Sequence, residues 1–205
     1  MYRTYAISGN RGKDANYKGE CYPELAPKLS FWKIWHNRIG IIPEEENNRF
    51  YVQEYYNQVL SKLDPEQVYG ELDNSILLCY EDNIEFCHRH IVAAWFELLL
   101  DISVPEIKIN GYKIENVVRP NYIKQYLDEV MRNNRNMRGF KSLRALYLFE
   151  KGEQLEAKAD KLEEKTGKCY DNYRQAACFL RCDADEAEGE YSQKKLIKSR
   201  ENTKK

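Results

Sequence analysis

The residue types that could do the most chemistry are concentrated between Cys79 and His90. These twelve residues include two cysteines, two of the chain's three histidines and an arginine, and Glu81 lies between the two cysteines. Thiol, imidazole and carboxylate groups can act as nucleophiles, as general acids and bases, or as metal ligands. We therefore predict that the functional site of the chain lies in this segment.

A strand, a loop and a helix are predicted to position these residues. SILLCY at 75–80 is a short continuous apolar run, which is typical of a strand buried on both faces in a parallel sheet. A polar loop follows at 81–86, and the helix from Cys87 or His88 to Leu100 is apolar nearly all round, which indicates an interior helix. Ligands of open α/β sheets bind beyond the carboxyl ends of strands, where helix N-termini meet the crevice.

This placement predicts a role for each residue. Free N–H groups at a helix N-terminus favour anions, and Arg89 can offer a two-pronged contact to phosphate or carboxylate. A cysteine at the helix start beside an arginine and histidines is expected to have a lowered pKa. We predict Cys87, His88 and Glu81 as catalytic residues and Arg89 as a ligand-binding residue, whereas Cys79 in the strand is predicted to be core.

Purely structural roles are the alternative for the same residues. The cysteines can pack in the core, a histidine can cap the turn, and Arg89 can pair with Glu81 or Glu85. The loop of tyrosine phosphatases and arsenate reductases needs an arginine six positions after its cysteine. Counting from the two cysteines reaches Glu85 and Ala93, so the spacing excludes that chemistry.

The spacing of these residues also bears on metal binding and redox chemistry. A Cys-x7-Cys-His-x-His pattern matches no zinc-finger spacing, and the two cysteines lack the close Cys-x-x-Cys arrangement of redox pairs. We therefore assign no metal ligand and no cofactor from the sequence. The residues that have the right chemistry for zinc ligands are Cys79, Cys87, His88 or His90, and Cys21 or His36.

The segment LLCYEDNIEFCHRHIVAAWF resembles the signature of the domain-of-unknown-function 488 family, LLC-x-E followed by a short loop into C-H-R. YKGECYPELAP and YVQEYYNQVLSKLDPEQVYGEL resemble other elements of that family, so the resemblance covers residues 2–107. It implies a Rossmann-like α/β domain without an established reaction. The matching positions at the site are Cys79, Glu81, Cys87, His88 and Arg89.

The resemblance also implies a role for the segment SGNRGK near the N-terminus. Arg11 in this segment stands at the place of the family's early arginine. We expect Arg11 and Tyr17 to share the cleft with Glu81 as ligand-binding residues.

Across the whole chain, strand and helix patterns alternate in the first half. They predict a small three-layer α/β domain with a parallel sheet over residues 1–118, and the family resemblance implies that this domain is Rossmann-like. A helical extension is predicted for 119–192, in which Cys169, Cys178 and Cys182 pack a helix hairpin, and a basic, disordered tail for 193–205. The other predicted elements are a strand at 2–8, helices near 31–39, 49–63 and 64–72, a polar loop at 44–48, and a strand at 106–109 that Asn110-Gly111 can turn into a hairpin.

Composition limits the partners and the compartment. A net charge of −1 gives no overall attraction to nucleic acid or to an anionic membrane. No apolar run approaches the roughly 20 residues needed to cross a bilayer. The N-terminal residues do not resemble a secretory signal, so we expect a cytoplasmic protein with reduced cysteines.

The sequence supports two candidate functions. The first is an enzyme or ligand-binding domain that holds a phosphate-bearing small molecule or nucleotide at the Cys87–Arg89 helix start. The second is a non-enzymatic module that binds nucleic acid or protein through the helical extension, with no membrane partner. The sequence assigns no oligomeric state. The basic residues that favour the second function are Arg132, Arg135, Arg138, Lys141 and Arg144.

Overall fold

The structure is a computed structural model that describes residues 2–110 and 113–202. The chain divides into two compact units, Met1–Asn134 and Arg135–Lys205. The first unit contains β1 (Arg3–Ala6), β2 (Glu20–Cys21), α1 (Leu29–Arg38), α2 (Glu44–Gln58), α3 (Pro65–Glu71), β3 (Ser75–Leu78), α4 (His88–Leu100), β4 (Glu106–Asn110), β5 (Lys113–Val117) and α5 (Tyr122–Asn134). The second contains α6 (Leu143–Thr166) and α7 (Asp171–Asn202).

The first unit contains a three-stranded parallel sheet with the order β2-β1-β3, in which β3 is half-buried and not, as predicted, buried on both faces. Arg3 pairs with Ser75 and Ala6 pairs with Leu78, so β1 and β3 end side by side. After β1 the chain forms β2, which pairs with one edge of β1. It then passes through α1–α3 and forms β3, which pairs with the other edge of β1. The loops after β1 and β3 therefore begin at the same end of the sheet, where the carboxyl ends of both strands lie. This arrangement confirms the predicted small α/β domain with a parallel sheet followed by a helical region.

The helix α4 is the interior helix that the sequence predicts. Cys87 is its N-cap, and its sulfur accepts a hydrogen bond from the backbone N–H of Arg89. Ile91, Trp95 and Leu99 are buried, and the helix ends before Asp101, whose backbone is left-handed with φ of 55°. The helix packs against α2, α3 and α5, which holds its first turn in place.

The helix α2 begins earlier than predicted. Residues 44–48, expected as a polar loop, form its first turn, because Glu44, Glu45 and Glu46 interact favourably with the positive end of the helix dipole. Asn47 and Asn48 are buried there: the Asn47 side chain donates to the Trp35 backbone carbonyl at 2.9 Å. This contact holds α1 against α2.

The predicted hairpin is present as a separate two-stranded antiparallel sheet. Glu106 of β4 pairs with Val117 of β5, and neither strand joins the parallel sheet. The expected type I′ turn at Asn110-Gly111 lies partly outside the described residues. β4 contributes the buried carboxylate of Glu106 to the neighbourhood of α4.

The first unit extends to Asn134, beyond the boundary predicted near residue 118. The reason is that α5 is amphipathic and packs its buried residues, which include Ile123, Leu127 and Met131, against α2 and α4. The α/β domain and its last helix therefore form one compact unit.

The second unit is a helix pair joined by a short turn at Gly167, whose φ of 67° is left-handed. Small residues lie at the contact between the helices: a Cβ atom at Gly152 would lie 3.2 Å from the backbone oxygen of Ala177. Ala159 and Ala184 are fully buried. No helix in the described part of the chain has the length and apolarity needed to span a membrane.

Two expectations for this unit differ from the structure. α7 continues through Asn202, where a disordered tail was expected from residue 193; residues 203–205 lie outside the described residues. The cysteines of the unit, Cys169, Cys178 and Cys182, are exposed and do not pack the hairpin. Alanine and glycine fill the contact instead, because they allow a closer approach of two helices than cysteine does.

Because α6 and α7 approach each other closely, a larger side chain at their contact should lower the stability of the chain. Ala159→Leu should destabilise the chain by about 1–3 kcal/mol, because the added carbon atoms do not fit a fully buried position. Ala157→Leu, on the exposed face of the same helix, should change stability by less than about 0.5 kcal/mol. Urea unfolding followed by far-UV circular dichroism measures both. Equal effects at the two positions would contradict the packing described for α6.

Candidate functional site

A cavity of about 650 Å³ opens beyond the carboxyl ends of β1 and β3. One side, the aromatic wall, consists of Trp32, Trp35, Tyr51 and Phe86. The ring centroids of Trp35 and Phe86 each lie close to that of Tyr51, both at 5.2 Å. These rings pack on one another, so the wall is a preformed apolar surface.

The other side contains four groups that we call the thiol cluster: Cys79, Glu81, Cys87 and His88. Cys79 Sγ lies 2.8 Å from Glu81 Oε2, and the Cys87 thiol donates to the same oxygen at 3.1 Å. Cys79 Sγ lies 3.5 Å from Nδ1 of His88. One donor atom from each of the four residues lies within 4.8 Å of all the others.

The loop after β1 closes a third side of the cavity. Gly12 has a left-handed φ of 73°, and its N–H donates to the Ser8 hydroxyl at 3.0 Å. A Cβ atom at Gly12 would lie 2.7 Å from Cβ of Tyr17, so only glycine fits this turn. The Tyr80 hydroxyl donates to Asn10 Oδ1 at 2.7 Å, which connects this loop to the one that follows β3.

His88 is held in a defined orientation. Its ring is buried, and Nε2 donates to the backbone carbonyl of Ile7, the first residue after β1, at 3.0 Å. The hydrogen on Nε2 leaves Nδ1 without a proton in the neutral ring, and this nitrogen points at Cys79. Burial lowers the pKa of His88, but the Cys79 sulfur and the Ile7 carbonyl together raise it above its usual value.

The two thiols have opposite electrostatic environments. The neighbouring Cys87 thiol and the His88 ring lower the pKa of Cys79, although burial opposes them. Burial and the adjacent Cys79 raise the pKa of Cys87 well above its usual value, and burial with Cys79 also raises that of Glu81. The thiol that favours its charged form is therefore Cys79, predicted as core, and not Cys87. The difference arises because Cys87 is only 2% exposed and Cys79 contacts the imidazole.

Arg89 belongs to a different neighbourhood. Its guanidinium is paired with Glu106 at 2.7 Å and its side chain is only 13% exposed. The Asn83 amide donates to the same carboxylate oxygen at 2.7 Å, and His90 Nε2 lies 3.4 Å from it. Burial raises the pKa of Glu106, but the contacts with His90 and Arg89 outweigh it and lower the pKa to about 2. The contacts of Arg89 thus fix β4 to the start of α4, and they give no support to a phosphate held there.

The remaining predicted ligand-binding residues are not brought to the cavity. Arg11 is exposed with a left-handed φ of 59°, and the Tyr17 hydroxyl donates to the Thr4 carbonyl at 2.7 Å. Neither lines the cavity that the described residues enclose. Sequence reasoning missed the aromatic wall, because the spacing of Trp32 and Trp35 indicates a helix face without showing that this face borders a cavity.

No protein-family model, no curated protein and no solved structure matches this chain. Two thiols, an imidazole and a carboxylate at these distances can supply a nucleophile with its base, or the ligands of one divalent metal ion.

The Glu106 carboxylate predicts a specific dependence of stability on pH. Its folded pKa of about 2 lies below the ordinary 4.5, so its contribution is complete above pH 4.5 and is lost as the pH falls towards 2. Glu106→Gln leaves the buried Arg89 without its partner and should cost about 3 kcal/mol at pH 7. The stability curves of the two proteins should converge below pH 3, which denaturant unfolding measured from pH 7 to pH 2 can check.

Glu115→Gln on β5 is the matched control. Its carboxylate pairs with Lys113 in the same hairpin but is 38% exposed, so its loss should change stability by less than about 1 kcal/mol. If Glu106→Gln changed stability as little as Glu115→Gln and kept the pH dependence of wild type, the Arg89–Glu106 pair would not fix β4 as described.

Proposed function

We propose that the first unit binds a small organic molecule with a planar apolar body in the cavity between the aromatic wall and the thiol cluster. The observation that carries this proposal is that both features face one cavity at the carboxyl ends of parallel strands. Its volume of about 650 Å³ lies within the range of small-molecule sites. The thiol cluster is the polar centre that recognises or acts on the polar end of the molecule.

The lining of the cavity indicates the class of ligand. Trp32 stacks on His36 with ring centroids 4.8 Å apart, and both border the cavity beside the aromatic wall. Flat rings at these positions favour a planar ligand. No lysine or arginine borders this cavity among the described residues, whereas Asp14 and Glu81 do. The cavity therefore favours a neutral ligand over the phosphate-bearing molecule that the sequence suggested.

The family resemblance agrees with this location. The positions that resemble the 488-family signature include Cys79, Glu81, Cys87 and His88, which are the whole thiol cluster. We propose on this ground that the chain is a divergent member of that family. A centre built from these four residue types would then be a property of the family and not of this chain alone.

All six cysteines of the chain are free, which supports a reducing compartment and hence the proposed cytoplasmic location. Three of them are exposed on or beside α7. Exposed thiols persist where the surrounding redox buffer keeps them reduced.

Binding of nucleic acid through the basic stretch is not favoured by the contacts. Arg132 pairs with Asp128 at 2.7 Å, Arg135 with Glu150 at 3.6 Å, and Arg138 donates to Glu153. These carboxylates neutralise charges that phosphate contacts would need.

Removing one ring of the cavity tests the proposed function. A library of small planar heteroaromatic compounds is screened with wild-type protein by thermal shift, and hits are measured by calorimetry. Trp32→Ala should weaken binding by about 10- to 100-fold, because an aromatic side chain contributes roughly 1.5–3 kcal/mol of apolar burial.

Ile34→Ala on the same helix is the control, since Ile34 is 44% exposed and does not border the described cavity. Its affinity should stay within about twofold of wild type. Equal losses for both variants, or a library without any compound that binds the wild-type protein, would contradict the proposal.

A further inference from the structure

We propose that Cys79, Glu81, Cys87 and His88 together bind one Zn²⁺ ion. The inference names the chemistry of the polar centre in the proposed function, but it does not require a ligand in the cavity. Two thiolates, an imidazole nitrogen and a carboxylate oxygen are the donors that zinc prefers, and four of them complete a tetrahedral site.

The distances between the donor atoms fit such a site. Zinc lies about 2.0–2.3 Å from its ligands, so neighbouring donors in a tetrahedron are about 3.3–3.8 Å apart. Here Cys79 Sγ lies 3.5 Å from His88 Nδ1 and 2.8 Å from Glu81 Oε2, while Cys87 Sγ lies 3.1 Å from that oxygen. All four donors lie within 4.8 Å of one another. Side-chain shifts of about 1 Å or less would place them around one ion.

The orientation of His88 supports the inference independently. A histidine that binds a metal through one ring nitrogen usually donates the other N–H to a carbonyl or carboxylate. His88 Nε2 donates to the Ile7 carbonyl at 3.0 Å, and this bond leaves Nδ1 directed at the cluster. The bond therefore selects the form of the ring that can act as a ligand.

The surroundings of Cys87 are also those of a metal-bound sulfur. Its Sγ accepts from the Arg89 backbone N–H at 3.4 Å, and the Arg89 guanidinium lies 3.8 Å away. Donors of this kind stabilise a thiolate, so Cys87 Sγ keeps its hydrogen-bond partners when it binds Zn²⁺.

The fold explains why spacing did not reveal this ligand set. The ligands form a Cys-x-Glu-x5-Cys-His pattern, in which two lie in the loop that follows β3 and two lie at the start of α4. The strand-to-helix connection brings them together, whereas zinc fingers use tight loops. The fourth donor is Glu81, not Cys21 or His36, and His90 faces Glu106.

Metal content of the full-length chain tests the inference. The protein is produced with zinc in the medium, dialysed against metal-free buffer, and analysed by inductively coupled plasma mass spectrometry. Wild type should retain about one zinc per chain, and Cys79→Ser and Cys87→Ser should lose most of it. Cys21→Ser, which changes a half-buried cysteine outside the cluster, should retain it.

Cobalt substitution gives a second readout that does not depend on the variants' folding. Wild-type protein stripped of metal and loaded with Co²⁺ should show the intense visible bands of a tetrahedral site and thiolate-to-cobalt absorption in the near ultraviolet. Zinc should abolish both signals on addition, and a strong chelator should lower the thermal midpoint of the zinc-loaded protein.

Several results would overturn the inference. The first is a wild-type protein that is folded by circular dichroism yet binds neither Zn²⁺ nor Co²⁺. The second is a cobalt spectrum without thiolate absorption. The third is full retention of zinc by a folded Cys79→Ser/Cys87→Ser protein. Failure of the proposed function is measured separately, by the loss of ligand binding. The zinc content of Trp32→Ala should equal that of wild type whether or not the cavity binds a ligand.

Discussion

The pairing of β1 with β3 is the contact on which the whole site depends. The ladder runs over four residue pairs and continues through the Ile7 N–H, which donates to the Leu78 carbonyl at 3.1 Å. With its N–H engaged by β3, Ile7 presents its carbonyl to His88 at the start of α4. A slip of one residue would turn alternate side chains to the opposite face and move this carbonyl away from the histidine. The orientation of the imidazole therefore depends on both the register of β1 with β3 and the position of the start of α4.

Other elements support this arrangement from two sides. On one side, the buried amide of Asn47 holds α1 against α2, so the rings of the aromatic wall keep their places. On the other side, the Arg89–Glu106 pair ties the first turn of α4 to β4. A buried ion pair adds little net stability but is costly to break, so it restricts the helix start to one position. The thiol cluster thus lies directly after β3 and at the N-terminus of α4, where these contacts fix the positions that a precise binding site requires.

The sequence predicted the parts of this site that depend on local pattern. The apolar run of β3, the apolar helix α4 and the concentration of Glu81, Cys87 and His88 between them follow from composition and spacing. The role of Cys79 could not be predicted, since a cysteine in a strand and a cysteine beside an imidazole have the same local sequence. The partner of Arg89 was missed for a similar reason: Glu106 is seventeen positions away and reaches it only through the β4–β5 hairpin.

The most direct test of a metal centre bordering the aromatic cavity is a crystal structure with diffraction data collected on both sides of the zinc absorption edge. We expect a single anomalous peak surrounded by Cys79 Sγ, Cys87 Sγ, Glu81 and His88 Nδ1, next to the aromatic wall. No peak at these atoms in zinc-soaked crystals would contradict it. A Cys79–Cys87 disulfide in protein kept under reducing conditions would contradict it equally.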